Sequence, residues 1–398
     1  MIPRDEYLEQ LKHFKDKDLI KVITGIRRCG KSTLFDLYNE FLLNSGIEKQ
    51  QIIRINLEDP IYYELDSYLK LYNYVLNKID SSKKTYVFID EVQVVPEFQK
   101  ACDGLYLNKN IDLYITGSNA NLLSGELATL LSGRYIEIKM LPLSFKEFVS
   151  ANNNDDNIDR LFQKYISWGS FPYVLNFDNI DDVDKYIKGI YDSIILKDIM
   201  ARRKFPDMLM LQSVVSFLLD NIGNITSTNK IKDTLVSNGR TISIHTVENY
   251  ITSLLESFIF YKATRYDIKG KQYLKTGDKY YVADLGLRYF ILGRKGNDTG
   301  HILENVVYLE LLRRGYDVYI GKVDELEVDF VAINSKGIEY YQVSESVKDE
   351  KTLERELKSL DSIKDHNQKF LLVGDIEPEV SYNGIRKINV LDWLLDKK

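Results

Sequence analysis

The chain is poor in the residues that build covalent or metal-stapled scaffolds. Two cysteines in 398 residues, Cys29 and Cys102, exclude a disulfide framework and a cysteine-rich zinc site, and they fit a reducing compartment. Four histidines occur, with no His-Glu-x-x-His or His-x-His pattern. Seven prolines and 22 glycines are too few for a collagen-like or low-complexity chain. No uninterrupted apolar stretch approaches about 18 residues, so no membrane-spanning helix is expected. Met1-Ile-Pro-Arg-Asp-Glu6 has no apolar run behind a basic start, so no signal peptide is expected. These absences predict a cytoplasmic protein with no membrane partner. Strong charge of one sign is missing too, and a net charge of −6 excludes a histone-like polycation.

What is present is a globular composition, 44% hydrophobic and 28% charged. At roughly 100–200 residues per domain the length predicts two to four domains. Up to about residue 150, apolar runs alternate with helical patterns. Strands are expected at 19–24, 51–57, 85–89, 111–115 and 135–140, with helices between them, including one at 122–131. Five strands separated by helices predict a covered, mostly parallel sheet. A polar loop at 151–158 leads to a helical stretch that carries a turn at Trp168-Gly-Ser-Phe-Pro172. From about 204 to 288, three helical segments precede two Tyr-rich strands joined at 267–271. Three helices and then a hairpin read as a winged helix. The last hundred residues read as another α/β unit.

Gly25-Ile26-Arg27-Arg28-Cys29-Gly30-Lys31-Ser32-Thr33 matches G-x4-G-K-S/T, after a hydrophobic strand and before a helix. Glycines there let backbone N–H groups wrap phosphate oxygens, and the helix N-terminus adds its positive dipole end. Lys31 is expected on the β- and γ-phosphates of ATP and Ser32 on Mg²⁺. Arg27 and Arg28 either add charge beside the phosphates or lie on a solvated loop face.

Tyr86-Val-Phe-Ile-Asp90-Glu91 is the required companion: Asp90 is expected to organise Mg²⁺ through water, and Glu91 to polarise the attacking water. Tyr114-Ile-Thr-Gly-Ser118-Asn119 ends a third strand. Either Ser118 or Asn119 senses the γ-phosphate, with Asn119 chosen, or both simply cap a helix. Arg134 is a candidate for stabilising transition-state charge, in its own chain or a neighbour's, against the alternative of a structural ion pair.

The segments GIRRCGKST, YVFIDEVQ, ITGSNANLLSGELATLLSGRYIEIKMLPLSFKEF and DIKGKQYLKTGDKYYVADLGLRYFILG resemble the prokaryotic AAA+ ATPases that carry a C-terminal domain of unknown function. The resemblance spans nearly the whole chain. It implies an α/β fold class: a P-loop NTPase with an AAA+/ASCE-type parallel sheet, a winged helix, and a C-terminal α/β domain similar to the restriction-endonuclease fold. The expected boundaries are 1–150 for the ATPase core, 151–203 for a helical lid or linker, 204–288 for the winged helix and 289–398 for the C-terminal domain.

Residues 197–279 hold thirteen Lys and Arg against eight Asp and Glu, a basic stretch in an acidic chain. Such asymmetry is an electrostatic footprint for nucleic acid. Candidate DNA contacts are Arg240, His245, Thr246, Asn249, Lys262, Arg265, Lys269 and Lys271. Against this, Glu248 and Glu256 oppose a DNA backbone, and such a module can instead pack on the nucleotide lobe.

In the last unit, Glu304 on a helix, Asp329 on a strand and Gln342 on the next follow the order of the PD-(D/E)xK nucleases. The third motif departs from theirs: Gln342 replaces an acid and Ser344 stands where lysine is expected, with Lys336 or Lys348 as substitutes from nearby. The plain alternative is that these acids are simply paired or solvated.

The reading is therefore an Mg²⁺-dependent ATPase. Its cycle switches the winged helix and C-terminal domain on DNA, a protein partner or a second copy of itself. The alternatives are a slow ATP-binding switch without DNA and a metal-dependent nuclease, the latter disfavoured.

Overall fold

The computed structural model describes residues 2–80, 82–120, 131, 133–152, 157–200, 207–294, 299–376 and 378–397, without the side chains of 196, 197, 275 and 276. Most of the helix expected at 122–131 lies outside the described residues. The chain divides into two compact units, 1–142 with 256–258, and 143–255 with 259–398.

In the first unit, α1 (Asp5–Phe14) precedes β1 (Ile20–Thr24), α2 (Lys31–Asn44), β2 (Ile52–Asn56), α3 (Tyr68–Leu76), β3 (Thr85–Asp90), α4 (Phe98–Tyr106), β4 (Ile111–Gly117) and β5 (Tyr135–Lys139). The five strands form one sheet in the order β2-β3-β4-β1-β5, every pair parallel. Strands β1, β3 and β4 are buried along their whole length. That is why they read as continuous apolar runs rather than alternating ones. Ile20, Val22, Ile53, Ile55, Val87, Ile89, Leu113 and Ile115 share one core, each worth about 1.5–3 kcal/mol on burial. Elsewhere in this unit Phe88 stacks on Tyr114 with ring centroids 4.7 Å apart.

The register aligns the C-terminal ends of the central strands. Thr24 lies opposite Gly117, Ile89 opposite Ile115, and Asn56 opposite Asp90. Because β4 lies between β1 and β3, the polar groups that end all three strands share one edge of the sheet. Ligands bind outside that edge in open parallel sheets.

The second unit begins with α5 (Phe145–Ala151), whose Ser144 and Glu147 form a reciprocal cap. Next come α6 (Ile158–Trp168) and α7 (Ile180–Ser193), the latter running into a π-helical segment, Ile194–Met200. Three helices follow, α8 (Met208–Asp220), α9 (Thr228–Ser237) and α10 (Ile244–Glu256), then the hairpin β6 (Phe260–Asp267) and β7 (Gln272–Val282). After α11 (Leu285–Leu292) and α12 (Thr299–Arg313) come β8 (Asp317–Val323), β9 (Leu326–Asn334), β10 (Gly337–Ser344), α13 (Glu350–Asp361), β11 (Gln368–Val373), β12 (Val380–Tyr382), β13 (Ile385–Asn389) and α14 (Val390–Leu394).

The hairpin does not stand apart as a free wing. Its β6 pairs in parallel with β8, at Arg265 opposite Ile320, so β6 and β7 extend a single sheet, β12-β13-β11-β10-β9-β8-β6-β7. The boundary expected at 288/289 is crossed by this sheet. Strand periodicity reveals a hairpin but not which sheet edge will pair with it.

The Trp168–Pro172 turn also finds a distant partner. Asp284 caps α11 through Leu287 N–H at 3.3 Å, and it accepts the Ser170 backbone N–H and the Ser170 hydroxyl, the latter at 2.9 Å. A Cβ on Gly169 would lie 2.3 Å from the Asp284 carboxylate, so only glycine fits that approach.

Candidate functional site

The loop from Gly25 to Gly30 takes its shape from positive-φ backbone. Gly25 has φ of 148°, and a Cβ there would lie 2.1 Å from the Met140 carbonyl oxygen. Gly30 has φ of 105° and starts α2 in the left-handed region, which turns the chain from loop to helix. Arg28 also has positive φ, 66°, and is exposed. Ser32 is exposed on the first turn of α2. Cys29 is fully buried in the loop, and burial pushes its thiol pKa up.

The Lys31 ammonium is buried and turns back on its own loop. It donates to the carbonyls of Gly25 at 2.9 Å and Ile26 at 3.2 Å, and it lies 3.8 Å from Glu91 Oε1. The first and second motifs therefore face each other. Arg27 pairs with Glu58 at 3.1 Å.

Asp90 and Glu91 diverge at the end of β3 because Glu91 takes φ of 51°. A non-glycine residue held there stores local strain, a pattern that clusters at functional sites. The Thr116 hydroxyl joins the two residues: it donates to Asp90 Oδ1 and accepts the Glu91 backbone N–H at 3.0 Å. Glu91 Oε2 accepts from the Ser118 hydroxyl at 3.0 Å and from the Gln93 amide. Burial pushes the Glu91 carboxyl up. Lys31, Arg27, Gln93 and Ser118 together pull it down, and it lies below the ordinary glutamate value. Asn119 is buried beside Ser118, but Ser118 is the residue whose hydroxyl reaches Glu91.

Two contributors escaped the sequence reading. Gln93 lies two residues past a motif that ends at Glu91. Arg4, almost fully buried, donates to the Cys29 carbonyl at 2.8 Å and the Leu141 carbonyl at 2.7 Å, bracing the loop from the start of the chain. A lone arginine ahead of a helix gives no sequence signal for such a role. Thr116 was within the third motif and could have been singled out as a hydroxyl beside Asp90.

Arg134 does not reach the pocket of its own chain. Tyr135 lies opposite Ile20, so Arg134 sits at the far end of β1 from the phosphate loop. That is about 16 Å along a five-residue strand. Its guanidinium pairs with Asp103 at 2.5 Å and lies over the Tyr106 ring.

In the second unit, Glu304 and Asp329 are buried in one cluster, but the lysine beside them is neither Lys336 nor Lys348. Lys336 follows Asn334 in the turn after β9, and Lys348 is exposed and pairs with Asp375 at 3.5 Å. Instead Lys279, from β7, lies 2.9 Å from Glu304 and 2.8 Å from Glu327. Glu304 also accepts the Tyr281 hydroxyl at 2.5 Å. Burial, then the charge of Glu304, pushes the Asp329 carboxyl up to about 8 against the pull of Lys279. Gln342 lies opposite Asp329 in the β9–β10 ladder. It donates to Glu356 at 2.8 Å and accepts from Ser359 at 3.2 Å.

The proposed DNA contacts have mixed fates. His245, Asn249 and Lys271 are exposed. Thr246 is tied to Ser243 at the start of α10, at 2.8 Å between hydroxyls. Lys262 faces Asp278 at 3.5 Å, and Lys269 is held by Asp324 at 2.6 Å. Arg240 and Arg265 are half-buried. Part of the basic stretch is thus paired with acids, Asp278 within it and Asp324 beyond it.

Comparison with known proteins places these parts. Residues 17–149 match the AAA domain family, and residues 159–298 match a domain of unknown function. An uncharacterized protein of Haemophilus influenzae is 44% identical over 99% of both chains. Another, of Methanocaldococcus jannaschii, is 30% identical over 94% of this chain and 85% of its own. Among solved structures, a Walker-type ATPase of Pyrococcus abyssi has the same fold at a TM-score of 0.51. It is 16% identical, and the match covers 73% of this chain and 96% of that one. With these relatives, the chain belongs to a family of proteins that, in this member, carries an AAA domain at 17–149.

Proposed function

We propose that the protein hydrolyses ATP to ADP and phosphate in a cycle that requires Mg²⁺ and switches the second unit on DNA or a protein partner. The observation that carries this reading is the approach of Lys31 to Glu91, 3.8 Å apart at the shared edge of β1, β3 and β4.

Backbone N–H groups of 25–33 surround the phosphates, and Lys31 exchanges its two carbonyl partners for phosphate oxygens. Glu91 orients a water for attack on the γ-phosphorus and takes its proton as the bond from that phosphorus to the β–γ bridging oxygen breaks. Ser118 and Gln93 hold the carboxylate in place. Ser32 and Asp90 offer an exposed hydroxyl and a buried carboxylate, oxygen donors suited to a hard cation. Bound there, Mg²⁺ supplies charge neutralisation at the phosphates. Arg134, too far from its own pocket, is available to a neighbouring copy.

Steady-state phosphate release tests the proposal. Glu91→Gln is expected to keep ATP binding and lose turnover by about 10²–10⁴-fold, and Lys31→Ala to lose binding. Equal turnover in wild type and Glu91→Gln would overturn the assignment of the base. The acid partners of Lys262 and Lys269 favour a second reading, an ATP-binding switch that does not engage DNA. Turnover stimulated by duplex DNA supports the first reading, and tight nucleotide retention indifferent to DNA supports the second.

A further inference from the structure

We propose that Lys279 is a built-in counter-cation: its ammonium fills the centre of the Glu304–Glu327–Asp329 cluster, where a hydrolytic site would hold a divalent ion. Three elements contribute. Glu304 comes from α12, Glu327 and Asp329 from β9, and Lys279 from β7, almost fully buried among them. One nitrogen is shared by two carboxylates at 2.9 and 2.8 Å, so those oxygens already converge on a point. Oxygen ligands surround a calcium-sized ion at about 2.3–2.6 Å. No group of three or more His, Cys, Asp or Glu among the described residues is arranged to hold a metal ion.

Asp329 accepts the Val343 backbone N–H at 2.8 Å. The Tyr281 hydroxyl donates to Glu304, and His301 faces the other Glu304 oxygen at 3.4 Å. Gln342, which would complete a ligand set, is turned to Glu356 and Ser359 on α13. One side is narrowed by backbone. Gly223, at φ of 71°, approaches so near that a Cβ would lie 2.8 Å from His301 and 3.1 Å from Glu304.

The cluster therefore serves as a fastener rather than a cutting centre. Removing two charges from water is costly unless they are paired and hydrogen-bonded, and here one ammonium ties β7 to α12 and β9. The hairpin that follows the three helices and the C-terminal sheet then move as one body.

Manganese titration followed by electron paramagnetic resonance, on full-length protein without nucleotide, tests this. Wild type is expected to bind no Mn²⁺ that depends on Asp329. Lys279→Ala is expected to gain one Mn²⁺, lost again in Lys279→Ala/Glu304→Gln. Asp329-dependent Mn²⁺ binding by wild type would overturn the proposal, as would a folded Lys279→Ala that gains none. If Lys279→Ala does not fold, Lys279→Met fills the same volume without charge and carries the same comparison. The wild-type arm stands in either case, and neither arm depends on ATP turnover.

Discussion

At the scale of single residues, the surroundings of Glu91 are those the base proposed above would need. Its carboxylate is buried, yet two positive charges and two neutral donors keep it ionised. Gln93→Leu removes one lowering donor, so the pKa of Glu91 rises. A base whose pKa rises loses its ionised form at higher pH than before. The acid limb of kcat/KM against pH is therefore expected to move upward, with turnover at pH 6 falling more than at pH 8. An unchanged profile would separate Gln93 from the base. Lys31, Ser32, Asp90 and Glu91 were all legible as a pattern in the sequence, because local spacing puts the first two at the start of α2 and the last two at the end of β3. Arg4 and Lys279 were not. Each acts through partners far along the chain, and no short window of sequence records such a pairing.

Among the elements, the parallel strands of the first sheet were legible from their continuous apolar runs, which follow from burial on both faces. The short strand β12 was not, since a three-residue strand with one half-buried side chain has no period to read. Nor was the joint between the Trp168–Pro172 turn and α11, which depends on Asp284. Replacing Asp284 with alanine strands the Ser170 and Leu287 N–H groups and removes a helix cap. Each stranded buried donor costs about 1–3 kcal/mol, and a lost cap typically about 1 kcal/mol. The variant is expected to lose about 2–4 kcal/mol in denaturant unfolding, while the Lys31→Ala protein stays close to wild type. A loss below about 0.5 kcal/mol would mean that the joint carries no stability.

For the molecule as a whole, the position of Arg134 sets a condition on assembly. The strand register excludes it from its own chain's nucleotide. If it serves catalysis, a second copy must present it. Specific ATPase activity is then expected to rise with protein concentration in wild type and to stay flat and low in Arg134→Ala. Mixing Arg134→Ala with Lys31→Ala should restore activity, since one supplies the pocket and the other the guanidinium. Concentration-independent turnover in both would return Arg134 to its ion pair with Asp103.

Cys29, sealed inside the phosphate loop, gives the protein a clock. Alkylating reagents attack the thiolate, and both cysteines of this chain are buried, with burial raising the thiol pKa, at Cys102 to about 12. Maleimide modification of Cys29 must therefore wait for the loop to part from Arg4, whereas Cys102, on the buried face of α4, waits for a wider opening. The ratio of the two labelling rates times the breathing of the nucleotide loop, and ATP should slow the first without touching the second.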